Sequence, residues 1–200
     1  MNTEPRNPTV NLAIHSTFLC EWPLIRDGVV LGQYQIRPIT PHDRAGVLDL
    51  FEHLSAKSRY FRYAHVVSTM PETLLHDIIH ATTVNDLALV AMLKNSDGTE
   101  TLGGIAHYIK DINGSKAEFS LSVNDDHHHE GIGANLMRSI QDCATLNGLT
   151  AIYGYINKKN VDMLALMRYL NFQISTSEED RQSFIAEHRC SSNQPQSTPL

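Results

Sequence analysis

AEFSLSV (residues 117–123) is followed by NDDHHHEGIGANLM (residues 124–137), and the two runs have the patterns of a strand and of a helix joined by a glycine-bearing turn. The first run alternates apolar and polar side chains as a β-strand does, and apolar residues recur at helical spacing from Leu136 onward. Gly131 and Gly133 stand between the two elements, where a helix N-terminus leaves backbone N–H groups unpaired. Glycine lets a phosphate approach the main chain, and the helix end adds roughly half a positive charge, so this turn can receive a pyrophosphate. The two glycines are equally compatible with a plain close contact between helix and sheet.

Short apolar runs on both sides of this stretch predict alternating strands and helices. Upstream, LALVAML (87–93) and GGIAHYI (103–109) are separated from each other and from the run at 117–123 by glycine-bearing turns, which favours an antiparallel meander. Downstream, Asn-Gly ends the helix and AIYGYI (151–156) returns as a strand, which makes a strand–helix–strand crossover. The other predicted elements are a strand at 34–39, helices opening at Pro41–Asp43, at 71–80 and at 161–170, and a terminal hairpin of NFQIS and SFIAE. The fold class is therefore α/β.

The composition favours one domain in aqueous solution. A chain of 200 residues with 42% hydrophobic content can bury one α/β core, which we place at residues 34–187. We expect residues 1–33 to be an N-terminal extension and the polar residues 188–200 to be a disordered tail. Because 16 basic residues face 22 acidic ones, for a formal charge of −6, we expect no nucleic-acid partner.

The absence of targeting signals and the number and spacing of the cysteines are typical of a cytoplasmic protein. No run approaches the ~18 apolar residues that a membrane helix needs, and the N-terminus has no signal-peptide pattern. Three widely spaced cysteines without a CxxC motif suggest neither a disulfide framework nor a structural zinc site. We therefore expect a cytoplasmic protein with no membrane partner.

Three known site types do not fit the glycine turn. A dinucleotide fingerprint needs a third glycine where Leu136 stands, and a nucleotide P-loop needs a Gly-Lys-Ser/Thr sequence that is missing. A zinc site is not expected either, because three consecutive histidines on a turn direct their side chains apart rather than toward one ion.

The turn resembles a motif of the GNAT acyltransferase superfamily, namely Gln or Arg, two residues, Gly, one residue, then Gly or Ala. His128 to Gly133 match it, with histidine in the first place. QIRPITPHD, LFEHLSAKSRYFRYAH and NKKNVDMLALMRYLNF are similar to the opening strand and helix and to the late Asn-x-x-Met helix of the bacterial protein lysine acetyltransferases. The resemblance implies a GNAT fold over residues 34–187. That fold is a mixed, mostly antiparallel central sheet of six to seven strands flanked by about four helices.

The resemblance also implies an activity and a set of site residues. Acetyl-CoA would be the co-substrate, without a metal, and its acetyl group would pass directly to an amine. Glu118 would be the catalytic base, because an amine that attacks a thioester must first lose a proton; a solvent-facing strand carboxylate is the alternative. The residues expected to bind the cofactor are Leu121, Ser122 and Val123 through their main chain, His128, His129, Glu130, Gly131, Ile132, Gly133 and Ala134 around the pyrophosphate, and Asn160, which is also compatible with a plain helix N-cap.

The sequence is compatible with three functions. The chain resembles protein lysine acetyltransferases, but the same fold and cofactor also serve the acetylation of small amines. A CoA-sensing module without turnover is a third reading, because Met167 stands where many superfamily members have a tyrosine that protonates the leaving thiolate. The expected partner is therefore a lysine-bearing protein or a small amine, and a homo-oligomer is compatible with either.

Overall fold

The computed structural model describes residues 21–63, 68–112, 114–178 and 180–190. Within them, eight strands form one sheet in the order β1-β2-β3-β4-β5-β6-β8-β7. The strands are β1 Glu21–Arg26, β2 Val29–Pro38, β3 Asp86–Lys94, β4 Glu100–Lys110, β5 Lys116–Val123, β6 Ala151–Asn157, β7 Gln173–Thr176 and β8 Ser183–Arg189. The helices are α1 Arg44–His53, α2 Ala56–Tyr63, α3 Glu72–Ile79, α4 Ile132–Leu146 and α5 Val161–Tyr169, and short 3-10 turns span Pro41–Asp43 and Asp125–His127.

The pairing of β5 with β6 differs from that of every other neighbouring pair of described strands. It is parallel, and it extends only from Lys116 opposite Ala151 to Glu118 opposite Tyr153. The other pairs are antiparallel. Beyond Glu118 the two strands separate, so the rest of β5 presents an unpaired edge toward β6. This separation opens the sheet in the middle of the molecule.

The two faces of the sheet are covered by different helices. On one face the apolar stripe of α4 packs against β3 and β4, where Leu87 and Leu89 point. On the other face α1 and α3 pack against Ala88 and Val90. Since neighbouring residues of β3 point to opposite faces and both faces are covered, the strand reads as a continuous apolar run.

The α/β fold class is confirmed, with the meander, the crossover and the terminal hairpin in the predicted order. The sheet has eight strands rather than six to seven, and five helices flank it rather than about four. The added helix is α2, which lies in the basic and aromatic segment that follows α1.

The predicted extension at residues 1–33 differs from the structure over residues 21–33. These residues form β1 and the first half of β2, an antiparallel hairpin closed at Asp27 and Gly28, both of which have positive φ. An Asp-Gly pair between apolar residues is a hairpin signal, so the sequence does carry the pattern. Residues 1–20 of the extension and 191–200 of the tail lie outside the described residues, and none of the described helices is long and apolar enough to cross a membrane.

Candidate active site

A cleft of about 500 Å³ opens where β5 and β6 separate. Its floor is β5 from Glu118 to Val123, one wall is α2, and the other is formed by β6 and α5. The turn before α4 closes one end. Ten of the twelve residues that the sequence proposed for the site line this cleft: Glu118, Leu121, Ser122, Val123, His128, His129, Gly131, Gly133, Ala134 and Asn160.

The cleft connects the two faces of the sheet. Glu118 lies opposite Ile109 in the β4–β5 register, and with Ser120 and Ser122 it points to the face that carries α2. Leu121 and Val123 point to the other face, where α4 and α5 lie. A ligand can therefore enter between α4 and α5 and reach the α2 face through the gap between β5 and β6.

The glycine turn forms the α4 end of the cleft. His129 (φ 64°) and Gly131 (φ 87°) both adopt the left-handed conformation, and Gly131 is the N-cap of α4. Histidine is one of the few non-glycine types enriched in this region. The chain therefore turns sharply twice, and Gly131, Gly133 and Ala134 at the start of α4 line this end of the cleft, where unpaired backbone N–H groups of a helix N-terminus favour an anion.

Two residues of the predicted pyrophosphate segment do not line the cleft with their side chains. Ile132 is buried in the core under α4. Glu130 has a side chain only 1% exposed, and it pairs with Arg26 of β1 and with His127. The left-handed residues on either side of Glu130 redirect the chain, so its side chain points below the turn rather than into the cleft. Glu130 and Ile132 can therefore contribute to the predicted diphosphate site only through their main chain.

His128 occupies the first position of the motif and braces the turn. Its Nε2 lies 3.2 Å from the carbonyl oxygen of Val123, and since a carbonyl only accepts, Nε2 donates this hydrogen bond. The same nitrogen lies 3.5 Å from Asp125 Oδ1. His128 therefore joins the end of β5 to the turn.

Asp125 joins the same turn to α2. Its Oδ2 accepts a hydrogen bond from the Ser55 backbone N–H at 3.1 Å, one residue before α2 begins. Burial alone would raise the pKa of Asp125, but hydrogen bonds from Ser55 and Ser58 lower it below its usual value. The carboxylate thus stays ionised and holds the start of α2 against the turn, and from there α2 extends along the cleft toward Glu118.

The charges around Glu118 suit proton transfer. Partial burial raises the pKa of its carboxyl, Arg62 on α2 opposes that shift, and Asp111 adds to it. A carboxylate with a raised pKa is a stronger base than one in free solution. Tyr153, beside Glu118 in the register, donates to Asp111 Oδ1 at 2.8 Å, and burial raises the pKa of this phenol, so it stays protonated.

Asn160 has one of the two roles that the sequence left open, that of the helix N-cap, and its position is compatible with the other, contact with the cofactor. Its side-chain oxygen accepts a hydrogen bond from the Met163 backbone N–H at 3.2 Å as the N-cap of α5, and the residue also lines the cleft. Met167 is fully buried and lies away from the cleft lining. Among the tyrosines near this helix, Tyr155 lines the cleft, whereas Tyr169 bonds to Arg138 outside it.

Other residues of the cleft wall had a weaker signal in the sequence. Arg62 and Phe61, from the basic and aromatic segment, line the cleft, whereas Arg59 of the same segment packs on the Phe51 ring and donates to a backbone carbonyl. Four lining residues with ionisable side chains were not predicted for the site: Lys57, Asp125, His127 and Asp162. In the part of the chain that the structure describes, no group of three or more His, Cys, Asp or Glu side chains is arranged to hold a metal ion.

Known proteins resemble the chain over most of its length. No family model matches it. Acetyltransferase PA5475 of Pseudomonas aeruginosa is 27% identical over 150 residues, which is 75% of this chain and 80% of the relative. The crystal structure of the GNAT domain of S. lividans PAT superposes with a TM-score of 0.72 at 20% identity, covering 84% of this chain and 96% of that domain. PaiA N-acetyltransferase from Thermoplasma acidophilum, solved in complex with coenzyme A, superposes with a TM-score of 0.61 at 20% identity, covering 78% of this chain and 98% of that one.

Proposed function

We propose that this chain, a GNAT-fold acetyltransferase that takes acetyl-CoA as co-substrate, passes the acetyl group directly to a lysine side chain of a protein. The observation that carries the proposal is the position of Glu118. Its carboxylate lies on the floor of the cleft, on the face opposite the glycine turn, at the point where β5 and β6 separate. An acetyl group delivered from the turn along β5 would end beside it.

The cleft offers acetyl-CoA mostly main-chain partners. The turn from His128 to Ala134 and the first N–H groups of α4 would hold the diphosphate. The unpaired edge of β5 at Leu121, Ser122 and Val123 would bond to the pantetheine arm much as an added strand does. Asn160 lies across the cleft from this edge. Val123 lies five residues from Glu118 along β5, a distance of roughly 17 Å in an extended strand. The pantetheine arm must therefore follow β5 and pass through the gap between β5 and β6 before its thioester reaches Glu118.

The chemistry needs one base and one donor. A lysine amine has an ordinary pKa of about 10.4 and arrives protonated, so Glu118 would accept its proton. The neutral nitrogen then attacks the thioester carbonyl, whose oxygen a β5 backbone N–H would polarise. The C–S bond breaks, the attacking nitrogen, which now carries a positive charge, loses its second proton to solvent, and the thiolate leaves and takes a proton from solvent. A thiol with an ordinary pKa of about 8.5 is a good enough leaving group for this step without a dedicated acid.

The surroundings of Glu118 favour a protein acceptor. Ile109, its cross-strand neighbour, is 52% exposed, and Ile112 in the following turn is 94% exposed. Tyr155 adds an exposed aromatic side chain at the cleft wall. Apolar surface around an open, charged site is typical of a docking surface, and a long lysine side chain can reach Glu118 from it.

The test combines binding with turnover. Acetyl-CoA binding is measured by calorimetry, and acetyl transfer is measured to a panel of proteins, lysine peptides and small amines. We expect Glu118→Gln to lower kcat/KM by roughly 10²- to 10⁴-fold, the range for loss of a general base, and to leave acetyl-CoA affinity unchanged. Glu100→Gln, which changes an exposed carboxylate at the far end of β4, is the matched control.

Each contrary outcome has a separate meaning. A wild type that does not bind acetyl-CoA contradicts the activity itself. Binding without transfer to any acceptor favours a sensing module, and transfer to small amines but not to proteins contradicts the acceptor. Unchanged turnover in Glu118→Gln removes Glu118 as the base.

A further inference from the structure

A buried carboxylate lies beside the turn that is proposed to receive a diphosphate. Glu130 immediately precedes Gly131, and its side chain is only 1% exposed. A diphosphate brings negative charge to the same few residues. An uncompensated carboxylate there would repel the cofactor and would itself be costly to bury.

Arg26 supplies the compensating charge from a distant part of the chain. Its Nη2 contacts Glu130 Oε1 and also donates to the carbonyl oxygen of Asp126. One guanidinium thus holds both ends of the segment from Asp126 to Glu130. The Arg26 side chain is 48% exposed, so it retains contact with solvent while it pairs with the buried carboxylate.

His127 contacts the second oxygen of the same carboxylate. Its Nδ1 lies 2.8 Å from Glu130 Oε2, and the residue also lines the cleft. Glu130 therefore connects a residue of the cleft wall to a residue of β1.

The same hairpin supports the turn at a second point. Tyr34 of β2 is fully buried, and its hydroxyl accepts a hydrogen bond from Asn135 Nδ2 at 2.8 Å, in the first turn of α4. A Cβ added at Gly131 would lie 4.0 Å from that hydroxyl. The β1–β2 hairpin thus forms the base on which the glycine turn rests.

We infer that Arg26 and Glu130 are positioning residues for acetyl-CoA, with Arg26 neutralising the Glu130 carboxylate so that the glycine turn accepts the cofactor diphosphate. The inference rests on the proposed function, because it takes the turn to be the diphosphate site. Neither residue needs to touch the cofactor. The hairpin that carries Arg26 is then part of the cofactor site.

Two explanations of the contact between Arg26 and Glu130 predict opposite changes in acetyl-CoA affinity for the variant Glu130→Gln. If charge neutralisation matters, Arg26→Met weakens acetyl-CoA binding, whereas Glu130→Gln removes the repelling charge and binds the cofactor at least as tightly as the wild type. If the pair only braces the turn, both variants weaken binding. The double variant Arg26→Met with Glu130→Gln separates the two explanations again, since only neutralisation predicts recovery.

The experiment measures the Kd of acetyl-CoA by calorimetry for these variants, with Arg26→Lys as the conservative replacement. Arg168→Met, which removes an exposed cation of α5 outside the cleft, is the control for net charge. We expect Arg26→Met to raise Kd about ten- to thirtyfold, the effect of one uncompensated charge at roughly 8–10 Å in an effective dielectric of about 20. Added salt should shrink this defect, Arg26→Lys should restore most of the affinity, and kcat at saturating acetyl-CoA should change less than about twofold.

The outcomes distinguish this inference from the proposed function. A wild type without acetyl-CoA affinity overturns both. A wild type that binds, with Glu130→Gln binding more weakly and the double variant no better than Arg26→Met, overturns only the neutralisation. Thermal unfolding of each variant sets the measuring temperature below its transition. If Arg26→Met alone does not fold, the acetyl-CoA affinities of Glu130→Gln and of the double variant still distinguish charge neutralisation from bracing of the turn.

Discussion

Gly131 and Gly133 are two positions apart in the sequence, and the structure predicts opposite effects on the free energy of unfolding when each is replaced by alanine. Gly131 has φ 87°, and a Cβ there meets nothing closer than 4.0 Å, so the cost of Gly131→Ala comes from the backbone alone. The left-handed conformation costs a non-glycine residue roughly 1–2 kcal/mol, and the lower entropy of the unfolded alanine chain offsets about half of it. We expect Gly131→Ala to lower the free energy of unfolding by about 1 kcal/mol.

Gly133 lies in the first turn of α4. Its added Cβ would contact Leu121, Leu166 and Val123 at 3.5 Å, which is ordinary packing distance. Alanine is the better helix former, so Gly133→Ala should stabilise the protein by up to about 1 kcal/mol. The two variants should then differ by about 2 kcal/mol, or roughly 4–8 °C in Tm for a chain of this size.

Urea unfolding followed by circular dichroism measures both variants against the wild type. The matched substitutions keep the composition constant, so the comparison isolates backbone conformation. Equal unfolding free energies for the two variants, or a Gly131→Ala variant more stable than Gly133→Ala, would refute the left-handed turn on which the site is built.

Three further changes follow from the site and its supports. Asp43→Asn should cost about 1–3 kcal/mol, because Arg37 donates to both carboxylate oxygens at 2.7 Å. Burial would raise the pKa of Asp43, but hydrogen bonds from Arg37 and Thr40 lower it below the ordinary value of 3.8. The stability that ionised Asp43 contributes is therefore present above pH 3.8 and should be lost as the pH falls below that value, which urea unfolding at a series of pH values measures. The pH dependence of kcat/KM is compared between the wild type and Glu118→Gln, because ionisation of the acceptor affects both proteins equally and cancels in their ratio. This ratio should fall as the pH drops through the pKa of Glu118, which lies above the ordinary value of 4.5, because protonated Glu118 can no longer act as a base. Asn160→Ala should destabilise the fold by about 1 kcal/mol in the same unfolding assay and raise the KM for acetyl-CoA.

Most of the residues that the sequence proposed for the site and that line the cleft lie close together along the chain. Glu118, Val123 and Gly131 belong to one strand–turn–helix passage, whose two periodicities are visible in the sequence. Strand alternation fixes the face of Glu118 once the strand is recognised. Asn171, two residues after the end of α5, has a φ of 60°, which asparagine adopts more readily than most residues.

The missed contacts join segments that are distant in sequence. Arg26 meets Glu130 only because β1 folds back beside the turn, and no local pattern links an arginine near the N-terminus to a glutamate in the middle of the chain. The side-chain directions of Glu130 and Ile132 also escaped prediction, because left-handed residues break the regular alternation on which such predictions depend. The Asp27-Gly28 turn was the available clue to the hairpin.

We expect acetyl-CoA to bind in the gap between β5 and β6 with its diphosphate at the glycine turn. Titration of isotope-labelled protein with acetyl-CoA, followed by backbone amide NMR, tests it directly. The largest shifts are expected at Leu121 to Val123 and at Gly131 to Ala134, with little change at the buried contacts between α1 and α3. Largest shifts on α1 and α3, or no shifts at saturating acetyl-CoA, would contradict it.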